Sequence, residues 1–436
     1  MIKKIKSLYT KLINSSFIRS SGIYTISGFI NAGIPLLLLP ILTRELSPSD
    51  YGIVAMFQLC VSIVYPLIGM NLDGAIGRKY YEKDNSDFSA FIGTCIILFF
   101  SGFIVLSLLF WLNIDFIQNI TQIPETWLKF VIIVAFCQFI TSVLLTIYQV
   151  KVEPIKYGLI RISQSFINIG LTILFVIFLN KTWDGRIEAQ IIAGLVTALL
   201  SYIILYKKGL IKFKINRKDI VYALTFGIPL IPHALGGFIF TSIDRFFLLN
   251  LIGLEETGNY TVAYQLGSVV GLITMSVNNA FVPWLFENLK KESLLIKKKI
   301  VKWTYIYFII LLIGAGLLLL ILPFIINILV GKSFSSTNTY TSFIVFGFVF
   351  QGMYYMVTNY IQYAKKTYIQ ALVTASVALL KLPITYFSII WFGSIGASIS
   401  YCITFFLFFL LTWKLSARVY NMPWKLVFFD FFKNHK

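Results

Sequence analysis

The chain has 436 residues, of which 58% are hydrophobic and only 13% are charged. Its mean hydropathy of +0.82 is too high for a soluble fold, which could not bury so much apolar surface. The formal net charge of +19 would suggest a nucleic-acid partner in a soluble protein. Together these values predict an integral membrane protein, in which basic residues collect on one side of the bilayer.

The N-terminal segment, Met1-Ile-Lys-Lys-Ile-Lys, is basic and precedes a long apolar run. That run is too long for a signal-peptide core and has no cleavage site, so we expect the cytoplasmic start of a retained first helix. Further along, cysteines occur singly within apolar runs and form no CxxC pair, which predicts packing residues. They are Cys60, Cys95, Cys137 and Cys402.

Hydrophobic runs long enough to cross a bilayer, which takes about 20 residues, recur along the whole chain. They predict an all-α integral membrane protein with about 12 transmembrane helices. The predicted spans are residues 20–43, 52–72, 90–112, 127–149, 157–179, 188–206, 220–251, 258–284, 300–330, 338–361, 368–391 and 394–414.

The positions of the basic residues support this topology. With the N-terminus inside, 30 of the 37 Lys and Arg residues fall in cytoplasmic segments, six fall on the opposite side, and Lys381 lies within a span. This asymmetry is the positive-inside bias of membrane proteins, and it explains most of the net charge without nucleic acid. Attraction to anionic lipid headgroups is a natural by-product.

The longest cytoplasmic break is the basic segment 207–219, near the midpoint of the chain. It predicts two six-helix lobes, residues 1–206 and 220–414, followed by a basic cytoplasmic tail over 415–436. Because each lobe has an even number of spans, the lobes would be related by an axis along the membrane normal. Transporters whose two lobes rock around a central site have this organisation.

Two similar turns suggest that the lobes are an internal repeat. Leu46-Ser-Pro-Ser-Asp-Tyr-Gly closes the first span, and Ile252-Gly-Leu-Glu-Glu-Thr-Gly closes the seventh. Both segments are short, polar and acidic, and both end in a glycine, Gly52 or Gly258, that opens directly into another span. We expect the two glycines to adopt unusual backbone angles.

Longer motifs around these turns resemble a known family. Leu42-Thr-Arg-Glu-Leu-Ser-Pro-Ser-Asp-Tyr-Gly-Ile resembles the motif after the first helix of the polysaccharide biosynthesis proteins, the Wzx-type flippases of lipid-linked oligosaccharides. One departure is Val54, where the family usually has Tyr. Span count and loop lengths extend the resemblance over essentially the whole chain. The segments similar to the second-half signature are Gly227-Ile-Pro-Leu-Ile-Pro, Ile243-Asp-Arg-Phe-Phe-Leu and Gly253-Leu-Glu-Glu-Thr-Gly-Asn-Tyr-Thr-Val-Ala.

The resemblance implies a MATE-like, V-shaped fold of the MOP superfamily, which includes the MATE drug exporters and the lipid II flippases. It implies alternating-access transport of an undecaprenyl-pyrophosphate-linked oligosaccharide, for O-antigen, capsule or a related polysaccharide, to the outer leaflet of the bacterial cytoplasmic (inner) membrane. Both termini are expected in the cytoplasm. The expected partners are this substrate, membrane lipids, a polysaccharide polymerase and chain-length proteins, with no cofactor and no nucleic acid.

Lys381 is the first candidate for substrate binding. It is thirteen residues from Tyr368 and eleven from Phe392, near the middle of a span, where its amine can hardly reach either surface. We interpret it as a cavity-lining cation that meets phosphate or an acidic sugar group, with Pro383 marking a helix bend nearby. A structural salt bridge is the alternative, although acidic residues deep in the spans are scarce.

The remaining candidates are polar groups of the seventh span and arginines near the membrane faces. Asp244 and Arg245 are adjacent and point about 100° apart on a helix, so each is expected to have another partner. They could bind substrate or form a charged outer helix end. His233 could bind substrate or be a buried, hydrogen-bonded histidine. Arg44 lies in the outer turn, and cytoplasmic-face arginines that could receive the pyrophosphate are Arg19, Arg78 and Arg161.

Other function classes agree less well with the sequence. Gly331-Lys332-Ser333 resembles the end of a phosphate loop, but Ile326 occupies the position five residues earlier where such a loop requires glycine. No HExxH motif and no metal-ligand spacing occurs in the sequence. The protein is therefore not expected to be an enzyme. The alternatives are a membrane polysaccharide polymerase or ligase, which would have one large outer loop, and a MATE-type drug exporter, which would have carboxylates within its first spans.

Overall fold

A computed structural model describes Gly28 and residues 33–82 and 87–427, and over these residues the regular structure is helical, without a β-strand. Eleven of the described helical segments are long and apolar enough to cross a membrane, at the positions of the second to twelfth predicted spans. The predicted all-α membrane fold is therefore confirmed. The first predicted span lies partly outside the described residues, and its described part belongs to a helix over 33–45.

The helices are labelled in chain order. A π-helical turn, Leu174–Phe178, prolongs α7, and a 3₁₀ turn, Ile228–Leu230, joins α9 to α10, so each forms one span. The described helices are α1 (33–45), α2 (Pro48–Gly69), α3 (Leu72–Lys79), α4 (Phe88–Leu112), α5 (Ile114–Thr121), α6 (Glu125–Val150), α7 (Pro154–Ile173), α8 (Trp183–Lys207), α9 (Arg217–Gly227), α10 (Ile231–Leu251), α11 (Leu254–Leu289), α12 (Leu294–Leu329), α13 (Thr337–Tyr363), α14 (Thr367–Phe392) and α15 (Ile395–Val419).

Polar side chains determine where several helices begin. Before α2, Ser47 Oγ accepts a 3.1 Å hydrogen bond from the Asp50 main-chain nitrogen. Asp50 Oδ2 in turn accepts from the Ser47 main-chain nitrogen at 3.0 Å, so the two residues cap each other. Pro48 occupies the first helical position, where its missing N–H costs nothing. Asp87 and Asn216 cap α4 and α9 through single side-chain acceptors.

Gly52 and Gly258 are required for a close approach between two helices. Both lie inside helices, α2 and α11, and neither has a positive φ angle. A Cβ atom on Gly52 would overlap the main-chain oxygen of Leu254, and one on Gly258 would overlap that of Pro48. The expectation of unusual backbone angles at these glycines is wrong, since it is Gly253 that has φ 136°.

The chain forms two compact units. The first contains the described residues up to Leu46 and Ile53–Phe238, and the second contains Ser47–Gly52 and the chain from Ile239 onward. The boundary between them falls inside the seventh span, and the predicted lobe boundary at the basic segment 207–219 stays a prediction. This segment packs on α4, where the Lys212 main-chain nitrogen donates to the Ser89 oxygen at 3.0 Å.

Each unit has its own apolar core. In the first unit, buried side chains of α4 and α6 meet, and the Phe99 and Phe139 rings stack with centroids 3.8 Å apart. In the second unit, α13, α14 and α15 contribute buried side chains to the core, among them the aromatic residues Tyr360 and Tyr401. Large apolar side chains such as Leu320 on α12 are exposed, as expected for helix faces that meet lipid.

Candidate functional sites

The second unit buries a complete ion pair. Lys381 on α14 and Asp244 on α10 each have 0% of the side chain exposed, and Lys381 Nζ lies 2.7 Å from Asp244 Oδ2. The ammonium also donates to the main-chain oxygen of Phe240 at 2.7 Å. Phe240 precedes Asp244 by one helical turn, so both acceptors lie on one face of α10. The structure thus contains the salt bridge that the sequence offered as the alternative for Lys381.

Hydroxyl groups complete the surroundings of the Asp244 carboxylate. Tyr260 Oη on α11 donates to Oδ2 at 3.2 Å, and Thr385 Oγ1 on α14 donates to Oδ1 at 3.2 Å. Thr385 also shares a 2.7 Å hydrogen bond with Ser400 Oγ on α15. Four helices therefore contribute to one polar centre. Such complete hydrogen bonding is what makes a buried charge pair tolerable in a low-dielectric interior.

Arg245, the neighbour of Asp244, has separate partners. Its Nε donates to Thr261 Oγ1 at 3.1 Å, and its Nη1 donates to the main-chain oxygen of Thr241 at 2.9 Å. The guanidinium carbon also lies 4.4 Å from the centroid of the Tyr264 ring, within the range of a cation–π contact. The two adjacent charges are thus held by different residues, as their spacing predicted.

These contacts enclose Lys381 in this structure. A phosphate could reach the ammonium only in another state, in which the pair with Asp244 opens. Substrate contact at Lys381, Asp244 and Arg245 therefore stays a prediction. The enclosed pair also differs from Arg78 in the first unit, whose side chain is 61% exposed.

The first unit contains a cavity of about 1030 Å³ beside the N-terminal half of the seventh span. Three cations line it: Arg78 at the end of α3, and Arg217 and Lys218 in the first turn of α9. We refer to it as the cationic cavity. Polar groups and an apolar wall complete its lining, and these residues are Asn216, Val221, Tyr222, Thr225, Phe226, Pro229 and Leu230.

Backbone geometry at two places positions the walls of the cationic cavity. Met70 and Asn71, with φ angles of 45° and 48°, end α2 and allow α3 to begin at Leu72. A Cβ atom on Gly227 would overlap the main-chain oxygen of Met70, so only glycine lets the end of α9 approach this turn. Pro229 lies in the 3₁₀ turn that follows and ends the first half of the span.

Arg78 is held at the wall but remains accessible. Its side chain is 61% exposed, its Nε lies 3.7 Å from Glu82 Oε1, and its guanidinium carbon lies 5.3 Å from the centroid of the Phe226 ring. Tyr222 Oη donates to the same Glu82 oxygen at 2.6 Å. This hydrogen bond, aided by the nearby cations Lys79 and Arg78, holds the pKa of Glu82 below its ordinary value.

The cationic cavity has the chemistry of an anion site. Arginine offers a planar set of N–H donors that match phosphate oxygens, while lysine contributes a mobile point charge. Arg217 and Lys218 also lie at the N-terminus of α9, where the helix dipole already favours negative charge. Cations there do not stabilise the helix, and the positive-inside bias accounts for their presence in this segment.

A family model described as polysaccharide biosynthesis protein matches residues 17–289, more than half of the chain. The chain belongs to the polysaccharide biosynthesis protein family. The match includes the cationic cavity and the part of the second unit that contributes Asp244 and Tyr260.

Two curated proteins of Haemophilus influenzae are similar to this family member over most of their length. An uncharacterized membrane protein is 28% identical over 359 residues, which cover 81% of this chain and 85% of the relative. A protein described as Lsg locus putative protein 1 is 25% identical over 358 residues, covering 80% of this chain and 85% of the relative. The sequence similarity to these two proteins therefore extends beyond residues 17–289.

Solved structures of transporters share the fold. The lipid II flippase MurJ in an inward closed conformation aligns with a TM-score of 0.74 at 17% identity, covering 93% of this chain and 89% of that one. An inward-facing multidrug resistance MATE family transporter of the MOP superfamily aligns with a TM-score of 0.66 at 18% identity, covering 89% and 94%. The MATE-like fold implied by the sequence resemblance is confirmed.

The other predicted site residues of this family member are dispersed. Arg44 is exposed on α1, and His233 is exposed in the first turn of α10, so it is not the buried histidine of the alternative interpretation. Arg161 is half-buried on α7, close enough to Tyr65 for an electrostatic interaction. Arg19 lies outside the described residues. Their roles in substrate binding stay predictions.

Sequence reasoning missed several residues of both sites. The sequence identifies Arg217 and Lys218 only as positive-inside charges, because nothing in the local sequence places them in the same cavity as Arg78. Thr385 follows Lys381 by one helical turn, and this spacing could have placed both on one face of α14. Tyr260 gives no such signal, because its contact with Asp244 depends on how α10 and α11 pack.

Proposed function

We propose that this protein is a flippase that moves an undecaprenyl-pyrophosphate-linked oligosaccharide from the cytoplasmic to the outer leaflet of the bacterial inner membrane. The substrate would be a repeat unit of O-antigen, capsule or a related polysaccharide. The observation that supports this best is the cationic cavity. Its three cations match the charge of a pyrophosphate, and its volume is large enough for a sugar-bearing head group.

The position of the cationic cavity agrees with entry from the cytoplasm. Arg78, Arg217 and Lys218 all belong to segments that the charge count assigns to the cytoplasmic side. The lining combines cations with the apolar side chains of Val221, Phe226 and Leu230. A lipid-linked sugar presents the same combination, since its charged pyrophosphate joins a polar head to a prenyl chain that stays in lipid.

Transport would follow from alternating access of two lobes. A ligand that binds both facing states equally shifts no population, so the cations must bind the head group more strongly in one state. In that cycle the Lys381–Asp244 pair would open for the head group in one state and close in the other. This assigns Lys381 and Asp244 a transient contact with substrate, and assigns Arg78 the first contact.

The rival functions are less consistent with the cationic cavity. A drug exporter that selects organic cations would use carboxylates to attract them, whereas this cavity presents Arg78, Arg217 and Lys218.

A polymerase or ligase would act on the same lipid-linked sugars as a flippase. We therefore propose such an enzyme, together with chain-length proteins, as a partner of this protein. The fold shared with the lipid II flippase MurJ favours transport of a lipid-linked sugar over bond formation.

The test is a flipping assay in proteoliposomes containing a fluorescent polyprenyl-pyrophosphate-linked disaccharide. The full-length wild-type protein should move the probe across the bilayer. Arg78→Ala combined with Arg217→Ala should reduce the initial rate at least tenfold, because each lost charged contact to phosphate is worth about 1.5–3 kcal/mol. Lys156→Ala is the matched control, since it removes an exposed cation, also paired with a carboxylate, from the same predicted side.

The outcome that contradicts the proposal is equal flipping by the wild type and the double variant. Flipping of a neutral prenyl-linked sugar at the same rate would also contradict it, because the cations would then contribute nothing to selection. Accumulation of a fluorescent cationic drug by the same proteoliposomes would favour the exporter. A normal melting temperature of the double variant excludes misfolding as the cause of lost transport.

A further inference from the structure

Glu82 is an anion that contacts Arg78 and Tyr222, two residues that line the cationic cavity. It follows α3, and its side chain is 33% exposed. Its Oε1 accepts the 2.6 Å hydrogen bond from Tyr222 and lies 3.7 Å from Arg78 Nε. Its Oε2 accepts from Lys79 Nζ at 3.4 Å. Both carboxylate oxygens are thus engaged, and two of the three partners line the cavity.

The cations on either side of Glu82 differ in accessibility. Lys79 is buried, and its ammonium lies 4.8 Å from the Tyr222 ring centroid and 5.9 Å from that of Phe91. Arg78 is mostly exposed and belongs to the cavity lining. Lys79 therefore holds the carboxylate in place from the protein side, while Arg78 is the cation that an incoming anion would share with it.

A transport site must release its ligand as well as bind it. Three cations around a pyrophosphate would bind it strongly, and a strongly bound head group would leave slowly. A fixed carboxylate beside Arg78 weakens the attraction for a second anion because like charges repel and both compete for one guanidinium. At 3.7 Å the contact is longer than a hydrogen bond, so Arg78 can exchange Glu82 for phosphate at little cost.

We propose that Glu82 is a tethered counter-anion that sets the affinity of the cationic cavity for phosphate groups. It partly neutralises Arg78 when the cavity is empty and repels the bound pyrophosphate, which speeds release. This inference rests on the proposed function, because it assigns a regulatory residue to the same cavity. The hydrogen bond from Tyr222 keeps the Glu82 carboxylate beside the cavity lining both when the cavity is empty and when it holds pyrophosphate.

The test measures the binding of inorganic pyrophosphate to the full-length protein in phosphatidylcholine nanodiscs by calorimetric titration. Glu82→Gln keeps an acceptor for Tyr222 and removes the charge, so Kd should fall about three- to tenfold, the range for a nearby charge in a partly solvated site. Arg78→Gln should raise Kd by a similar or larger factor. Glu153→Gln is the control, because Glu153 is 31% exposed, pairs with Lys156 and does not line the cavity.

A second variant separates the effect of charge from that of position. Tyr222→Phe removes the hydrogen bond but leaves the carboxylate charged, so it should not tighten binding. If Tyr222→Phe tightened binding as much as Glu82→Gln, Glu82 would act by positioning Tyr222 in the cavity lining. A role of Glu82 as a counter-anion would then be ruled out. Unchanged or weaker binding by Glu82→Gln, with an unchanged melting temperature, would also overturn the inference.

The outcomes keep the inference separate from the proposed function. If Arg78→Gln weakens binding while Glu82→Gln has no effect, the counter-anion is refuted and the flippase stands. If pyrophosphate does not bind the wild type and Arg78 can be replaced without loss of flipping, both fail. The cavity could bind either pyrophosphate or the phosphate of an anionic lipid headgroup, and repeating the titration in nanodiscs with phosphatidylglycerol distinguishes the two. An unchanged Kd for pyrophosphate identifies pyrophosphate as the ligand. Full competition by phosphatidylglycerol identifies an ordinary lipid headgroup.

Discussion

Lys381 in the second unit and Arg78 in the first unit are two cations in opposite surroundings. In the second unit, Lys381 is fully buried, and each of its hydrogen bonds ends on α10 of the same unit. In the first unit, Arg78 is mostly exposed and borders a cavity with Arg217 and Lys218. The buried cation is satisfied by the protein, whereas the exposed cations can bind a ligand. Whether a charged side chain can bind a ligand therefore depends less on the number of charges in a region than on whether the protein already supplies partners for them.

The difference has an energetic consequence. Taking two charges out of water costs several kcal/mol per ion, and close pairing with additional hydrogen bonds is needed to offset that cost. The Lys381–Asp244 centre has such pairing, so losing either partner leaves an uncompensated charge. Arg78 loses little hydration at its exposed position, so its removal should affect a ligand far more than the fold.

The largest expected effect is the loss of stability when the buried Lys381–Asp244 pair is broken. Lys381→Ala should destabilise the protein by about 3–5 kcal/mol, because it strands the Asp244 carboxylate. The measurement is the melting temperature in detergent or nanodiscs, with Lys129→Ala as the control. Lys129 belongs to an exposed i, i+4 pair with Glu125 at 3.1 Å, worth about 0.3–0.5 kcal/mol, and its ammonium lies 4.8 Å from the Trp111 ring centroid. Unchanged melting of Lys381→Ala would mean that Asp244 does not depend on Lys381 and that the cation is available to substrate.

The second prediction separates the structural role of the pair from a role in transport. The double variant Lys381→Met with Asp244→Leu should recover most of the stability lost in Lys381→Ala, because apolar residues of similar volume often replace a buried pair without cost. Flipping should nevertheless be lost if the pair opens for the head group. Full flipping by a stable double variant would remove both residues from the transport cycle.

The smallest expected effect concerns salt. Raising NaCl from 0.1 M to 1 M shortens the screening length from about 10 Å to about 3 Å. Pyrophosphate binding at the cationic cavity should weaken at least tenfold, while the stability difference between wild type and Lys381→Ala should stay nearly constant because the pair is buried. A salt-insensitive Kd, or a stability difference that disappears in salt, would contradict the contrast between the two regions.

The sequence determined the class of protein and much of its layout. A bilayer needs long apolar runs, and these are local features, so hydropathy located the second to twelfth spans within a few residues. The sequence predicted one span over 220–251, and the 3₁₀ turn that contains Pro229 and separates α9 from α10 was found only in the structure. The two family signatures indicated a fold that the solved structures share.

Only the tertiary structure decided which residues meet. Lys381 and Asp244 are 137 positions apart, and Glu82 and Tyr222 are 140 apart. No periodicity links such pairs, because their contacts depend on the packing of whole helices. The same reason explains the glycines: the sequence showed two similar turns, but only the contact between the first residues of α2 and those of α11, within the second unit, revealed that Gly52 and Gly258 are required by close backbone contact. Hydropathy located each helix through its own residues, while each site depends on neighbours that the local sequence does not specify.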